Sequence, residues 1–174
     1  MSGSDKIYLI DSDVLISIKQ RADRDHIYGE LSKLIDKGRV RTVRQVYKEC
    51  SHDEIVKLWI MSQKDKIVVS IEEQYSEGVQ INLGILTEAV PHLWPQTGGS
   101  TKDPADPWLI AVAAAYNYCL VTNENMRSSK KIPAACKIPD ISCDCISGPH
   151  FLYETNIVTE INPAHISSKE FFGD

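Results

Sequence analysis

Acidic side chains at Asp11, Glu49, Asp106 and Glu124 are placed where they could act together. Each also has an ordinary explanation. Asp11 ends the apolar run Lys6–Ile10, where it could cap a helix, make a turn, or ligate a metal at a strand's carboxyl end. Asp13 could cap the next segment, hold Asp11, or reach a metal through water. Glu49 falls on a helical stripe, where a lone glutamate is usually a solvated charge. Asp106 before Pro107 reads as an N-cap with proline at the first helical position, and that start aims a carboxylate at the neighbouring strand ends. Glu124, after Val121-Thr-Asn, is a turn residue or a further carboxylate facing Asp11. Gathered carboxylates repel and cannot all ionise without compensation. Hard cations such as Mg²⁺ or Mn²⁺ compensate them and prefer oxygen ligands. Two such ions about 4 Å apart activate a water and stabilise a leaving oxygen in phosphodiester cleavage.

The elements that must position these groups are short apolar strands alternating with helices. Strands are expected at Lys6–Ile10, Val40–Val43, Lys66–Ser70 and Cys119–Thr122. Helices are expected just after Asp13, over His26–Lys37 with Gly38 as its stop, from Val43 through Met61, over Glu72–Leu93, and over Pro107–Asn117. Trp94–Pro104 is a long loop, the text after Ser128 is irregular, and Phe151–Tyr153 opens a last small helix. The pattern predicts an α/β fold with a mostly parallel sheet, whose sites lie at the strands' carboxyl ends.

Composition narrows the function classes. With 174 residues, 43% hydrophobic and 25% charged, the chain has the makings of a globular domain rather than a disordered one. Its net charge of −5 excludes a protein that coats nucleic acid by bulk electrostatics. The longest apolar stretch, Trp108–Ala115, is far shorter than the roughly 20 residues of a membrane span, so no membrane partner is expected. The start lacks a basic, apolar leader, and a cytoplasmic location is expected. The cysteines, 50, 119, 136, 143 and 145, are odd in number and read as reduced, partly buried thiols. Cys136, Cys143, Cys145 and His150 can be sketched as a zinc site, but paired Cys-x-x-Cys knuckles are missing.

Motifs in order complete the picture. Tyr8-Leu-Ile-Asp11-Ser-Asp-Val-Leu-Ile16, Val46-Tyr-Lys-Glu49, Asp106-Pro-Trp-Leu-Ile-Ala111 and Leu120-Val-Thr-Asn-Glu124 resemble the four acidic motifs of PIN-domain nucleases. The Asp106–Ala111 form, with Lys131-Ile-Pro133 downstream, is similar to a bacterial and archaeal PIN-like subgroup without assigned function. The likeness spans residues 6 to 146. It implies a three-layer α/β/α sandwich and a Mg²⁺- or Mn²⁺-dependent ribonuclease. Many small relatives are toxins of the VapC kind held by an antitoxin, and homodimers are common among them. By this resemblance Asp11, Glu49 and Asp106 are the core metal ligands, Glu124 is the weaker fourth, and Ser12 and Thr122 support them by hydrogen bonds. Residues 6–155 would form one PIN-like nuclease domain and 156–174 a C-terminal extension or arm. The chain departs from the pattern in carrying Glu124 where aspartate is often found, Asp13 where a neutral polar residue is more usual, and a Gly-Gly loop before Asp106.

An RNA substrate would be held by basic side chains. Candidates are Arg127, Lys130, Lys131 and Lys102, with a second group at Arg41, Arg44 and Lys48 near Glu49. Trp94 or Tyr47 could stack on an unpaired base, whereas Trp108 is expected in the core. Three alternatives stand beside the ribonuclease. One is a PIN-like binding module without catalysis. Another is a phosphatase resembling the haloacid dehalogenases, with Asp11 as nucleophile and Asp13 as acid/base. A third is a nuclease acting on DNA.

Overall fold

The computed structural model of the protein describes residues 6–94 and 103–160. Tyr8–Ile10 (β1) is buried along its whole length, as expected of a parallel strand covered on both faces. Asp11 follows at once and caps Ser12–Ile18 (α1), its side chain accepting the Ser12 N–H. Arg24–Asp36 (α2) returns the chain to Val40–Arg41 (β2) through Gly38, whose φ of +70° suits a residue without Cβ.

The region from Val43 to Leu93 differs from the expected pattern. The helical stripe splits into Arg44–Cys50 (α3) and Val56–Ile67 (α4). The break is made by Asp53, whose carboxylate accepts the Ile55 and Val56 N–H groups and pairs with Lys19. The strand expected at Lys66–Ser70 is not formed. Helix α4 runs through Ile67, and a single isolated bridge pairs Val68 with Thr42 beyond β2, made by the Thr42 N–H to the Ile67 carbonyl and the Val69 N–H to the Thr42 carbonyl. The expected helix Glu72–Leu93 becomes Ile71–Gln74 (α5), Glu77–Ala89 (α6) and a 3₁₀ turn at Pro91–Leu93. A capping box between Ser70 and Glu73 starts α5 separately.

Ala105–Tyr116 (α7) is the apolar helix, with Leu109, Ile110, Ala111, Val112 and Ala113 fully buried. Pro104 occupies its N-cap position, so Asp106 lies inside the first turn rather than capping it. Asn117, in the left-handed conformation at φ 55°, ends α7. Cys119–Val121 (β3) follows. The segment expected to be irregular contains Ile132–Ala135 (α8) and Cys145–Ile146 (β4), before Gly148–Glu154 (α9), which encloses the expected Phe151–Tyr153. Ile157 is still buried, and its N–H bonds to Leu152. Residues 161–174 of the expected arm lie outside the described part.

The strands form one all-parallel sheet in the order β2-β1-β3-β4, with Leu9 opposite Arg41 and Leu120, and Val121 opposite Ile146. The architecture is a three-layer α/β/α sandwich. From β1 the chain moves to one side of the sheet, and from β3 to the other. Right-handed crossovers therefore put these connections on opposite faces. A crevice opens between the carboxyl ends of β1 and β3. No helix among the described residues is long and apolar enough to cross a membrane.

Candidate active site

The crevice between β1 and β3 is where the sequence motifs meet. Asp11, one residue past β1, is only 6% exposed. Its Oδ1 accepts the Ser12 N–H at 2.7 Å, and its Oδ2 accepts the Thr122 hydroxyl at 3.0 Å. Thr122 is in turn fixed from behind, since its Oγ1 accepts the Glu124 N–H at 3.2 Å. Ser12 Oγ donates to Glu49 Oε2 at 2.5 Å and lies 3.4 Å from Asp11 Oδ1, tying α3 to the start of α1. Both Asp13 oxygens accept the Asn123 N–H, at 3.1 and 3.2 Å. Glu124 accepts the Ile132 N–H at 2.8 Å and pairs with Lys131 at 3.4 Å, joining the β3 exit to α8.

These carboxylates sense one another. Burial, then the charges of Asp13 and Asp106, holds Asp11 well above the usual carboxylate range, against the pull of the Thr122 and Ser12 hydrogen bonds. Burial, then Glu124 and Glu49, raises Asp106 to about 6, with Lys131 acting the other way. Asp13 is raised too, chiefly by burial and with Glu124 adding to it. A nest of oxygen donors with more negative charge than its surroundings neutralise is chemistry that fits a hard divalent cation such as Mg²⁺ or Mn²⁺. As they stand, no group of three His, Cys, Asp or Glu side chains among the described residues is gathered tightly enough to hold an ion. Glu49 and Glu124 are instead tied to Ser12 and to Ile132 with Lys131.

The other expected residues divide. Arg127 and Lys130 are exposed beyond β3, while Lys131 is engaged by Glu124. Lys102 lies outside the described residues. Arg41 is committed to Glu73 at 2.9 Å and is not available to a substrate. Trp108 is half-buried rather than core, with its indole N–H on Asp103 at 2.7 Å. Cys136 hydrogen-bonds with the thiols of Cys143 and Cys145, and all the cysteines are free. Those contacts, followed by burial, push the Cys136 thiol upward.

Two residues were missed from sequence. Asn123, inside the fourth motif, bonds Asp13 through its N–H and Ser17 Oγ through its side chain at 3.1 Å. Gly148 donates its N–H to Asn123 Oδ1 at 3.1 Å. A Cβ there would overlap that oxygen and meet Val14 Cγ1 at 3.2 Å. Asn123 could have been read as a strand-exit side chain, but nothing local signals Gly148. Comparison with curated proteins finds no match. Residues 8–158 match the family described as Domain of unknown function (DUF4411), and the chain belongs to that family.

Proposed function

We propose that the protein is a PIN-like, Mg²⁺- or Mn²⁺-dependent endoribonuclease. The observation that supports this is the group of carboxylates at the carboxyl ends of β1 and β3: Asp11 is raised by burial and then by Asp13 and Asp106, and Asp106 by burial and then by Glu124 and Glu49. Asp11, Glu49 and Asp106 would hold the metal, and Glu124 would be the weaker fourth ligand. When bound, the metal supplies Lewis-acid activation of water and neutralises charge on the departing oxygen.

The chain's own residues do the positioning. Ser12 N–H and Thr122 Oγ1 fix both oxygens of Asp11, so its free lone pairs keep one direction. Ser12 Oγ sets the Glu49 carboxylate relative to Asp11. Lys131, beside Glu124, offers a cation that could pass from carboxylate to phosphate as a strand enters. Attack by water rather than by a ribose 2′-hydroxyl would leave 5′-phosphate and 3′-hydroxyl ends. A toxin's role, with an antitoxin partner and a homodimer, belongs to the same proposal and rests on the resemblance of the four motifs.

The test is cleavage of a panel of structured RNAs with Mn²⁺, with EDTA, and by Asp11→Asn. Cleavage that needs metal and vanishes in the variant is expected. Intact RNA in every arm, together with no Mn²⁺ binding by calorimetry, would overturn the reading and leave a binding module. Turnover of small phosphomonoesters with a phosphoryl group trapped on Asp11 would move the protein to the phosphatases.

A further inference from the structure

Helix α3 has a second working face. Glu49 reaches Ser12 on the acidic crevice side, while Arg44, Tyr47 and Lys48 line a pocket of about 440 Å³ shared with Lys64 of α4 and Ile71 and Tyr75 at α5. That volume is within the roughly 300–1,000 Å³ of pockets that take a small ligand. Its walls are of two kinds. The Lys64 ammonium stands 5.5 Å from the centre of the Tyr47 ring. Ile71 and Tyr75 are 63% and 47% exposed and give the pocket an apolar rim.

The cations carry the inference. The chain is acidic, and Lys6, Lys19, Arg21, Arg24, Lys33, Arg41, Lys66 and Lys131 are all in ion pairs. Among the described residues, Arg44, Lys48 and Lys64 are in none, as is also true of Lys37, Lys57, Arg127, Lys130 and Lys137, but these three line one pocket, together with Asp65. Three cations against the one carboxylate of Asp65 leave the lining net positive, which favours an anionic occupant, and aromatic and aliphatic walls favour a flat, apolar one. A nucleotide has both parts.

The pocket is also braced to the crevice. Gln74, in its wall, accepts the Arg44 N–H at 3.1 Å and donates to Gln45 Oε1 at 2.8 Å. Gln45 donates to Asp103, which holds the Trp108 indole at the start of α7. Pocket and acids are therefore two sides of α3, separated by about the 10 Å diameter of a helix.

We propose that this pocket binds a base and its flanking phosphates of a single-stranded RNA whose neighbouring segment crosses the acidic crevice. This rests on the ribonuclease reading and adds where the substrate is gripped. The test is anisotropy of a labelled RNA strand of about 12 nucleotides in EDTA, where no cleavage occurs. The Lys48→Ala/Lys64→Ala pair should weaken binding about tenfold or more and lower the salt slope by about 1.4, at about 0.7 per phosphate contact. Tyr47→Leu should weaken it as well, and Lys57→Ala, an exposed cation elsewhere on α4, should not. Wild-type binding retained by the lysine pair, or no binding by wild type, would overturn the proposal. So would displacement of the RNA by a polyglutamate peptide of equal charge, which would assign the pocket to an acidic protein segment. The two readings fail separately. Metal-dependent cleavage with unchanged KM in the lysine pair sinks the pocket alone. Binding in EDTA that the lysine pair loses, without cleavage in Mn²⁺, sinks the nuclease alone.

Discussion

The Thr122 hydroxyl accepts from the Glu124 N–H and donates to Asp11 Oδ2 at 3.0 Å, with Asp13 Oδ2 a second acceptor at 3.4 Å. If Asp11 holds a metal as proposed, such a partner of the ligand would contribute about 10–100-fold to affinity. Thr122→Val keeps the shape of this buried side chain and removes the donor. We expect it to weaken Mn²⁺ binding by about 10–100-fold in calorimetry, with the far-ultraviolet spectrum unchanged. Asp106 supplies a second test at this scale. Its folded value, about 6, lies above the ordinary 3.8, so the native state binds this proton more tightly than the unfolded chain. Stability of the metal-free protein therefore falls as pH rises through that window, by on the order of 2–3 kcal/mol from this group. Asp11 and Asp13 are shifted in the same direction and add to the trend. Asp106→Asn should remove its share of the fall, read by urea unfolding in EDTA at about pH 4 and about pH 7.5. An unchanged pH dependence would mean that neither burial nor its neighbours' charge raises Asp106.

At the scale of elements, the caps decide where the acids sit. Asp11 caps α1 and also faces the crevice, so the ordinary and the functional explanation of this residue hold together. The turn from β4 into α9 is fitted against the β3 exit. Gly148→Ala would drive a methyl group into Asn123 Oδ1 and toward Val14, at a cost of about 1–3 kcal/mol. Because Asn123 holds Asp13 through its backbone N–H, the same change should also weaken Mn²⁺ binding. A Tm equal to wild type would show that Asn123 moves aside freely. The elements legible in sequence were those with a full apolar face: β1, β3, α2 and α7. Those misjudged were governed by a single competing side chain. Asp53 cut the 43–61 stripe, and the Ser70–Glu73 capping box started α5 on its own, ahead of a break at Tyr75 and Ser76 before α6. Two-residue β4 had no periodicity to read, since a strand so short shows no alternation.

For the molecule as a whole, the proposed metal site would make the metal-free state one that holds repulsion which a divalent cation would relieve. Mn²⁺ should therefore raise the Tm in proportion to the logarithm of its concentration. At 100 times the dissociation constant the gain is about 2.7 kcal/mol, or roughly 5–10 °C for a chain of this size. Asp11→Asn should start from a higher metal-free Tm and gain little from the ion, and calorimetry with and without Mn²⁺ checks both.

Residue type and order were enough to give the parallel α/β class, the buried first and third strands and the acidic motifs, because apolar runs and capping carboxylates are local signals. Only the tertiary structure could decide that Glu49 reaches Ser12 across 37 positions, that Thr122 reaches Asp11 across 111, and that Lys131 is taken by Glu124 while Arg44, Lys48 and Lys64 line one pocket. Those pairings depend on which helix lies against which strand end, and no property of a single segment contains that information.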